Sequence, residues 1–303
     1  MEQLHQRISR GDVIILDGAT GTELERRGVP MHGVAWSAAA LRTHPTVVRQ
    51  VHEDYIRAGA DVVFTNTFSS ARHTLERTEL GEEVRDLNTR AVILAKEACE
   101  SVAEDRRVYV AGSLSIYFRP DEEPSPGYMK ASYREQAYIL AEAGADLLAM
   151  EMMTEVDQAA DAIEAAMSTG LPVWVGFSCR MREGDAQVVL LRSKGETFSQ
   201  ALETLLPVGI SMVSVMHSKI EDTAPALRVI QERWSGPLGA YPESGKFVMP
   251  HWQFDQVVSP EALLDQARRW VQMGVQLIGG CCGIGPEHIR VLKEGLPKQL
   301  PAS

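Results

Sequence analysis

Residues 275–282 read VQLIGGCC. A short apolar run meets two glycines and then two adjacent cysteines. This is the pattern of a buried strand that ends where the backbone can turn freely. Comparable runs lie at Val13–Asp17, Asp61–Phe68, Val108–Ser113, Asp146–Glu151, Pro172–Cys179, Met212–His217 and Leu238–Pro242. They are nearly continuous in apolar residues, as strands buried on both faces are. A helical stretch separates each from the next. PTVVRQVHEDYIRAG and SPEALLDQARRWVQMG show the 3.6-residue period and end on Gly59 and Gly274, with Ser259 as N-cap and Pro260 at the first helical position. Eight βα units predict an α/β fold: one closed (β/α)8 TIM barrel domain over residues 1–303. The rival, a doubly wound open sheet, would bring a Gly-rich phosphate loop after its first strand. DGATGTEL at that place lacks the GxGxxG spacing.

Composition narrows the function classes. The 303 residues include 30 Lys+Arg and 41 Asp+Glu, a formal net charge of -11. Such a balance disfavours nucleic acid and anionic membranes as partners. No apolar run is long enough to cross a bilayer, and the start MEQLHQRISRGD has no secretory pattern. With 4 cysteines, a disulfide scaffold is not expected. The sequence therefore reads as cytoplasmic, with reduced thiols.

In a barrel of this kind the chemistry sits at the C-terminal ends of the strands. Those ends carry Asp17, Thr65, Asn66, Ser113, Glu151, Cys179, His217, Tyr241, Cys281 and Cys282. Emergence into solvent would account for Ser and Asn there. It does not account for two adjacent cysteines and a histidine. A lone cysteine inside a helical pattern, such as Cys99, is a small core residue. For Cys281–Cys282 a vicinal disulfide would close a strained ring. A metal site fits better: two thiolates suit zinc, and a catalytic zinc takes three protein ligands and keeps one position open. Adjacent residues of a regular strand face opposite ways, so the strand must break, and Gly279, Gly280 and Gly283 allow that. Spacing alone leaves Cys179 and His217 both open as the third ligand.

These residues resemble the homocysteine S-methyltransferase family, zinc-dependent (β/α)8 barrels that include betaine–homocysteine and S-methylmethionine–homocysteine methyltransferases. The similarity runs through LDGATGTELERRG, VHEDYIRAGADVVFTNTF, AGS, AEAGADLLAMEMMTEVDQA and GGCCGIGPEHI in that order. In the family the zinc ligands are the adjacent cysteine pair and a cysteine ending the sixth strand, usually in Asn-Cys. Here VSVMHS puts Met216 and His217 at those places. Imidazole binds zinc, so the resemblance implies a site of His217, Cys281 and Cys282, with Cys179 as the alternative. A second departure is YPESG at 241–245, where the family usually has Tyr-Pro-Asn-Ala-Gly.

The resemblance further implies transfer of a methyl group from a small onium donor to homocysteine, giving methionine. Zinc would favour the thiolate of the acceptor. Asp17 and Glu151 would meet the acceptor's amino end, and Asn66, Tyr241 and Trp252 would line the substrate site. Onium cations are drawn to aromatic faces. Tyr117, Phe118 and Tyr128 after the third strand, and Tyr241, Phe247, Trp252 and Phe254 after the seventh, are candidates, with Trp36 beside them. Two other functions share the fold: transfer to a different thiol or a selenol, including demethylation of an onium osmolyte, and a non-catalytic barrel that senses zinc or an amino acid.

Overall fold

The computed structural model describes residues 1–118, 125–206, 209–248 and 251–301. Its barrel strands are β1 (Ile14–Ile15), β2 (Val62–Phe64), β3 (Tyr109–Ser115), β4 (Leu147–Met153) and β5 (Val173–Phe177). After the hairpin β6 (Cys179–Met181) and β7 (Val188–Leu190) come β8 (Met212–Lys219) and β9 (Leu238–Glu243). A second hairpin, β10 (Lys246–Val248) and β11 (His251–Gln253), precedes β12 (Leu277–Ile278). The sheet order is β1-β12-β9-β8-β5-β4-β3-β2. Leu16 bridges Val62 in the parallel sense, so β1 meets β2 and the sheet closes. The eight expected strands are all present, and closure excludes the open doubly wound sheet.

Continuous apolar runs follow from burial on two sides. Ile14, Leu16, Val62, Phe64, Leu147 and Ala149 pack inside the barrel. Their neighbours Ile15, Val63 and Leu148 face the helices. Helix Pro45–Ala58 stops at Gly59, φ 111°, and helix Pro260–Gln272 starts on Ser259, whose Oγ accepts the Ala262 N–H at 3.2 Å. The polar N-terminal stretch is a helix, Glu2–Ser9, whose buried Leu4 plugs the lower end of the barrel. Among the described residues no helix is long and apolar enough to cross a membrane.

At the upper, C-terminal end two strands lose register. β4 slips against β5 between Met150 and Met153, and β8 slips against β9 between Met216 and Lys219. Met152 (φ 57°) and His217 (φ 46°) take left-handed backbone there. Bulges of this kind re-aim side chains, and strain of this kind gathers at working sites.

Candidate active site

The upper end opens into a cavity of about 410 Å³. Its wall includes Glu151, His217, Cys281 and Cys282, together with Trp36, Phe64, Phe68, Tyr117, Tyr241, Phe247 and Trp252.

The cysteine loop forms because nothing larger than glycine fits it. A Cβ on Gly279 would lie 2.7 Å from the Asp17 carbonyl, and one on Gly283 (φ 84°) 2.0 Å from the Ser244 carbonyl. The opening motif grips the loop from below. Thr22 Oγ1 accepts the Gly283 N–H at 3.1 Å, Arg26 donates to the Gly283 carbonyl at 3.1 Å, and the Tyr55 hydroxyl reaches the Ile284 carbonyl at 3.1 Å. Both cysteines consequently face one space, with their sulfurs 3.8 Å apart and unbonded.

His217 Nδ1 lies 3.1 Å from Cys281 Sγ, and its Nε2 lies 2.8 Å from Glu151 Oε2. A carboxylate only accepts, so Nε2 carries a hydrogen and Nδ1 presents its lone pair to the sulfur. The other oxygen of Glu151 accepts the Ser113 hydroxyl. Burial pushes the Cys281 thiol well above its usual range, and its hydrogen bond to Cys282 and the charges of Cys282, Glu151 and Glu243 add to that. A bare thiolate is thus disfavoured, and a cation among these donors is favoured.

The donor set suits zinc. Two sulfurs on bonds of about 2.3 Å in a tetrahedron lie about 3.8 Å apart, the spacing found here. Cys281 touches both His217 and Cys282, but among the described residues no three His, Cys, Asp or Glu side chains form a complete ligating group. Cys179 is elsewhere. It is buried with Phe177 and Phe198 on the helix side of the barrel, and its N–H donates to Ser218 Oγ at 2.8 Å.

Asp17 lies behind the cavity wall, fully buried. One oxygen accepts the Phe64 N–H at 2.8 Å and the other the Tyr241 hydroxyl at 3.1 Å. Burial pushes its carboxyl well up, against those two hydrogen bonds. Tyr241 is held in turn, its ring stacked on Phe64 with centroids 5.2 Å apart. Asn66 exchanges hydrogen bonds of 2.8 Å with both the hydroxyl and the carbonyl of Ser37, which fixes the loop carrying Trp36. Thr65 supports Ser113, accepting its N–H at 3.0 Å.

Of the expected aromatics, Trp36, Tyr117, Tyr241, Phe247 and Trp252 line the cavity. The other three do not. Phe118 lies under Arg192, Phe254 under Arg26, and the Tyr128 hydroxyl is bonded to Glu76. Each has found a charged partner outside the cavity. Sequence reasoning missed Phe68, whose ring centroid is 5.3 Å from that of His217. It also missed Glu243, although YPESG had marked its position as unusual.

Residues 14–296 match the family model described as homocysteine S-methyltransferase. The chain belongs to the homocysteine S-methyltransferase family. It is a methyltransferase. It is 30% identical to the homocysteine S-methyltransferase of Escherichia coli (strain K12), over 96% of this chain and 97% of that one. It is 31% identical to the S-methylmethionine–homocysteine S-methyltransferase BHMT2 of Pongo abelii, over 96% and 80%. It is 27% identical to a selenocysteine methyltransferase of Astragalus bisulcatus, over 95% and 92%. Among solved structures it superposes on the metallated form of the homocysteine methyltransferase MmuM from Escherichia coli with a TM-score of 0.80 and 27% identity, covering 96% of this chain and 99% of that one.

Proposed function

We propose that this methyltransferase moves a methyl group from a sulfonium or quaternary ammonium donor to homocysteine, giving methionine, at a zinc site of Cys281, Cys282 and His217 Nδ1. The observation that carries the reading is the meeting of Cys281 with both Cys282 and His217 on an aromatic-lined wall.

Zinc, when bound, supplies the positive charge that favours the thiolate form of the acceptor. The chain's own residues do the rest. Glu151 holds the Nε2–H of His217 and so keeps Nδ1 free as a ligand atom, as carboxylate–histidine pairs do at zinc sites. Each oxygen of Glu151 spends one lone pair on the protein, which leaves acceptor capacity for the ammonium of homocysteine. Asp17 reaches the substrate only through Tyr241, whose ring it fixes in the wall. The acceptor sulfur forms its new bond to the methyl carbon as the donor's carbon–onium bond breaks, and the electron pair leaves with the donor atom as a neutral group. Alignment is the protein's main contribution. The aromatic wall excludes water and attracts the cationic donor.

A selenol acceptor is a second reading, favoured by His217 standing where the family usually has a cysteine. A site less rich in thiolate donates less charge through the metal, which suits a more reactive acceptor.

The test is metal analysis followed by a matrix of homocysteine and selenocysteine against S-methylmethionine and betaine, with products identified by mass. About one zinc per chain and methylated product are expected. Cys281→Ala and Cys282→Ala should each lose metal and transfer while the barrel stays folded by circular dichroism. A zinc-loaded protein that methylates neither acceptor would overturn the reading. So would full zinc occupancy in Cys281→Ala.

A further inference from the structure

The two carboxylates that the sequence assigns to substrate already hold protein groups. Asp17 holds Phe64 and Tyr241, and Glu151 holds Ser113 and His217. Glu243 is different. It lines the same cavity and is half-buried, yet among the described residues its side chain makes no hydrogen bond or ion pair. Lys219 pairs with it in strand register and lines the same cavity, but among the described residues the two side chains form no ion pair.

Its backbone is tied to the cysteine loop on both sides. Cys281 N–H donates to the Pro242 carbonyl at 2.7 Å, and Ser244 N–H to the Cys282 carbonyl at 2.8 Å. Burial raises its carboxyl above the usual range, the charge of Lys219 acts against that, and the charge of Glu243 is felt in turn at Cys281. Glu243 therefore stands at the reacting end of the cavity. A partly buried anion without a partner is unfavourable until a cation arrives. Trp252, Phe247 and Tyr241 in the same wall favour a cation as well.

We propose that Glu243 is the counter-ion to the onium centre of the methyl donor. This rests on the methyl-transfer reading above. The donor's methyl carbon must lie in line between the attacking sulfur and the onium atom. With reacting atoms about 3–3.5 Å apart, the onium charge falls about 5 Å from that sulfur. The acceptor's own ammonium is assigned above to Glu151, which leaves Glu243 for the donor.

The role has a kinetic signature. A thiolate and an onium cation react to give two neutral products, so the onium charge is already fading in the transition state. Glu243 then stabilises the bound donor more than the transition state. Its loss raises KM for the donor without lowering kcat.

The experiment compares wild type with Glu243→Gln, and with Glu243→Asn, the residue usual in the family. Zinc-loaded proteins are titrated calorimetrically with S-methylmethionine and with methionine, which share an amino acid head and differ in the sulfonium charge. Steady-state kinetics with S-methylmethionine and homocysteine follow. Wild type is expected to prefer the sulfonium, and both variants to lose that preference. KM for S-methylmethionine should rise about tenfold or more, the scale of a charged contact, with zinc content unchanged and kcat no lower. Equal weakening of both ligands would assign Glu243 to the amino acid head and overturn the proposal. Loss of zinc would make Glu243 a metal ligand and overturn it too, as would an unaltered preference or a wild type with none. The titrations need no turnover, so they decide the role of Glu243 even if no methyl is transferred and the functional reading fails.

Discussion

By strand alternation His217 belongs on the wrong side. In β8, Met212 and Met216 face the barrel interior while Val213 and Val215 face the helices. His217 is in phase with the outward pair. Its left-handed φ of 46° breaks the alternation and turns the ring into the cavity. A residue with a Cβ pays about 1 kcal/mol or more for that conformation, and the contacts to Glu151 and Cys281 offset it. Two outcomes follow at this scale. Glu151→Gln keeps an acceptor oxygen for Nε2–H but loses its charge, so zinc affinity should fall about 10–100-fold, read by competition with a chelator. Unchanged affinity would show that Glu151 does not orient the ring. His217→Cys makes the site one charge more negative. Zinc should be retained, and the pH profile of methyl transfer should move upward, because the acceptor thiol then gives up its proton less readily. A profile that stays in place with metal bound would leave the histidine without mechanistic meaning.

Among the elements, the cysteine loop is the one most finely determined. It follows β12, lies against the end of β9, and is held by Thr22 and Arg26 from the opening motif. Two motifs at opposite ends of the chain are thus one structural unit, because the barrel closes the first strand onto the last. Gly283 is where the unit can be broken. Alanine there would need φ 84° and would press its Cβ to within 2.0 Å of the Ser244 carbonyl. Gly283→Ala is expected to cost more than about 2 kcal/mol and to separate Cys282 from Cys281. Metal analysis beside a urea melt checks this. A variant with normal stability and a full complement of zinc would show that the loop tolerates a side chain.

The molecule as a whole carries an acid sensitivity unrelated to catalysis. His52 and His73 are buried. Burial lowers His52 from 6.5 to about 4, and His73 likewise to about 4 against a hydrogen bond to the Tyr117 carbonyl. Unfolded, each would bind a proton near 6.5, and folded, neither does until about pH 4. The unfolded state thus gains protons first. The stability these two neutral rings allow is whole above pH 6.5 and falls away toward pH 4, at most about 3 kcal/mol for each. Neither ring nitrogen of His52 has a hydrogen-bond partner, so His52→Leu removes the titration without stranding another group. It should be no less stable than wild type at pH 7 and should lose less stability on acidification to pH 5. Urea unfolding at the two pH values decides it, and an unchanged pH slope would refute the assignment.

The eight strands, the glycine-stopped helices and the cysteine loop were legible in the sequence because each rests on local chemistry: burial of a run, freedom of a glycine, spacing of a motif. The N-terminal helix was less legible, since its few apolar residues, Met1, Leu4 and Ile8, gain their meaning only by docking under the barrel. Strand parity even held an unread clue to Cys179. It is in phase with Val173, Val175 and Phe177, and all four lie on the helix side. The same rule would have sent His217 outward. Only the tertiary structure turns it in, since β8 shifts register against β9 between Met216 and Lys219. Which carboxylates stay free for a ligand was also decided there. Asp17, Glu151 and Glu243 are equivalent as letters at strand ends. Their roles diverge because Tyr241 closes over Asp17 behind the wall, Ser113 and His217 take one bond each from Glu151, and no side chain folds onto Glu243, though both glutamates line the cavity.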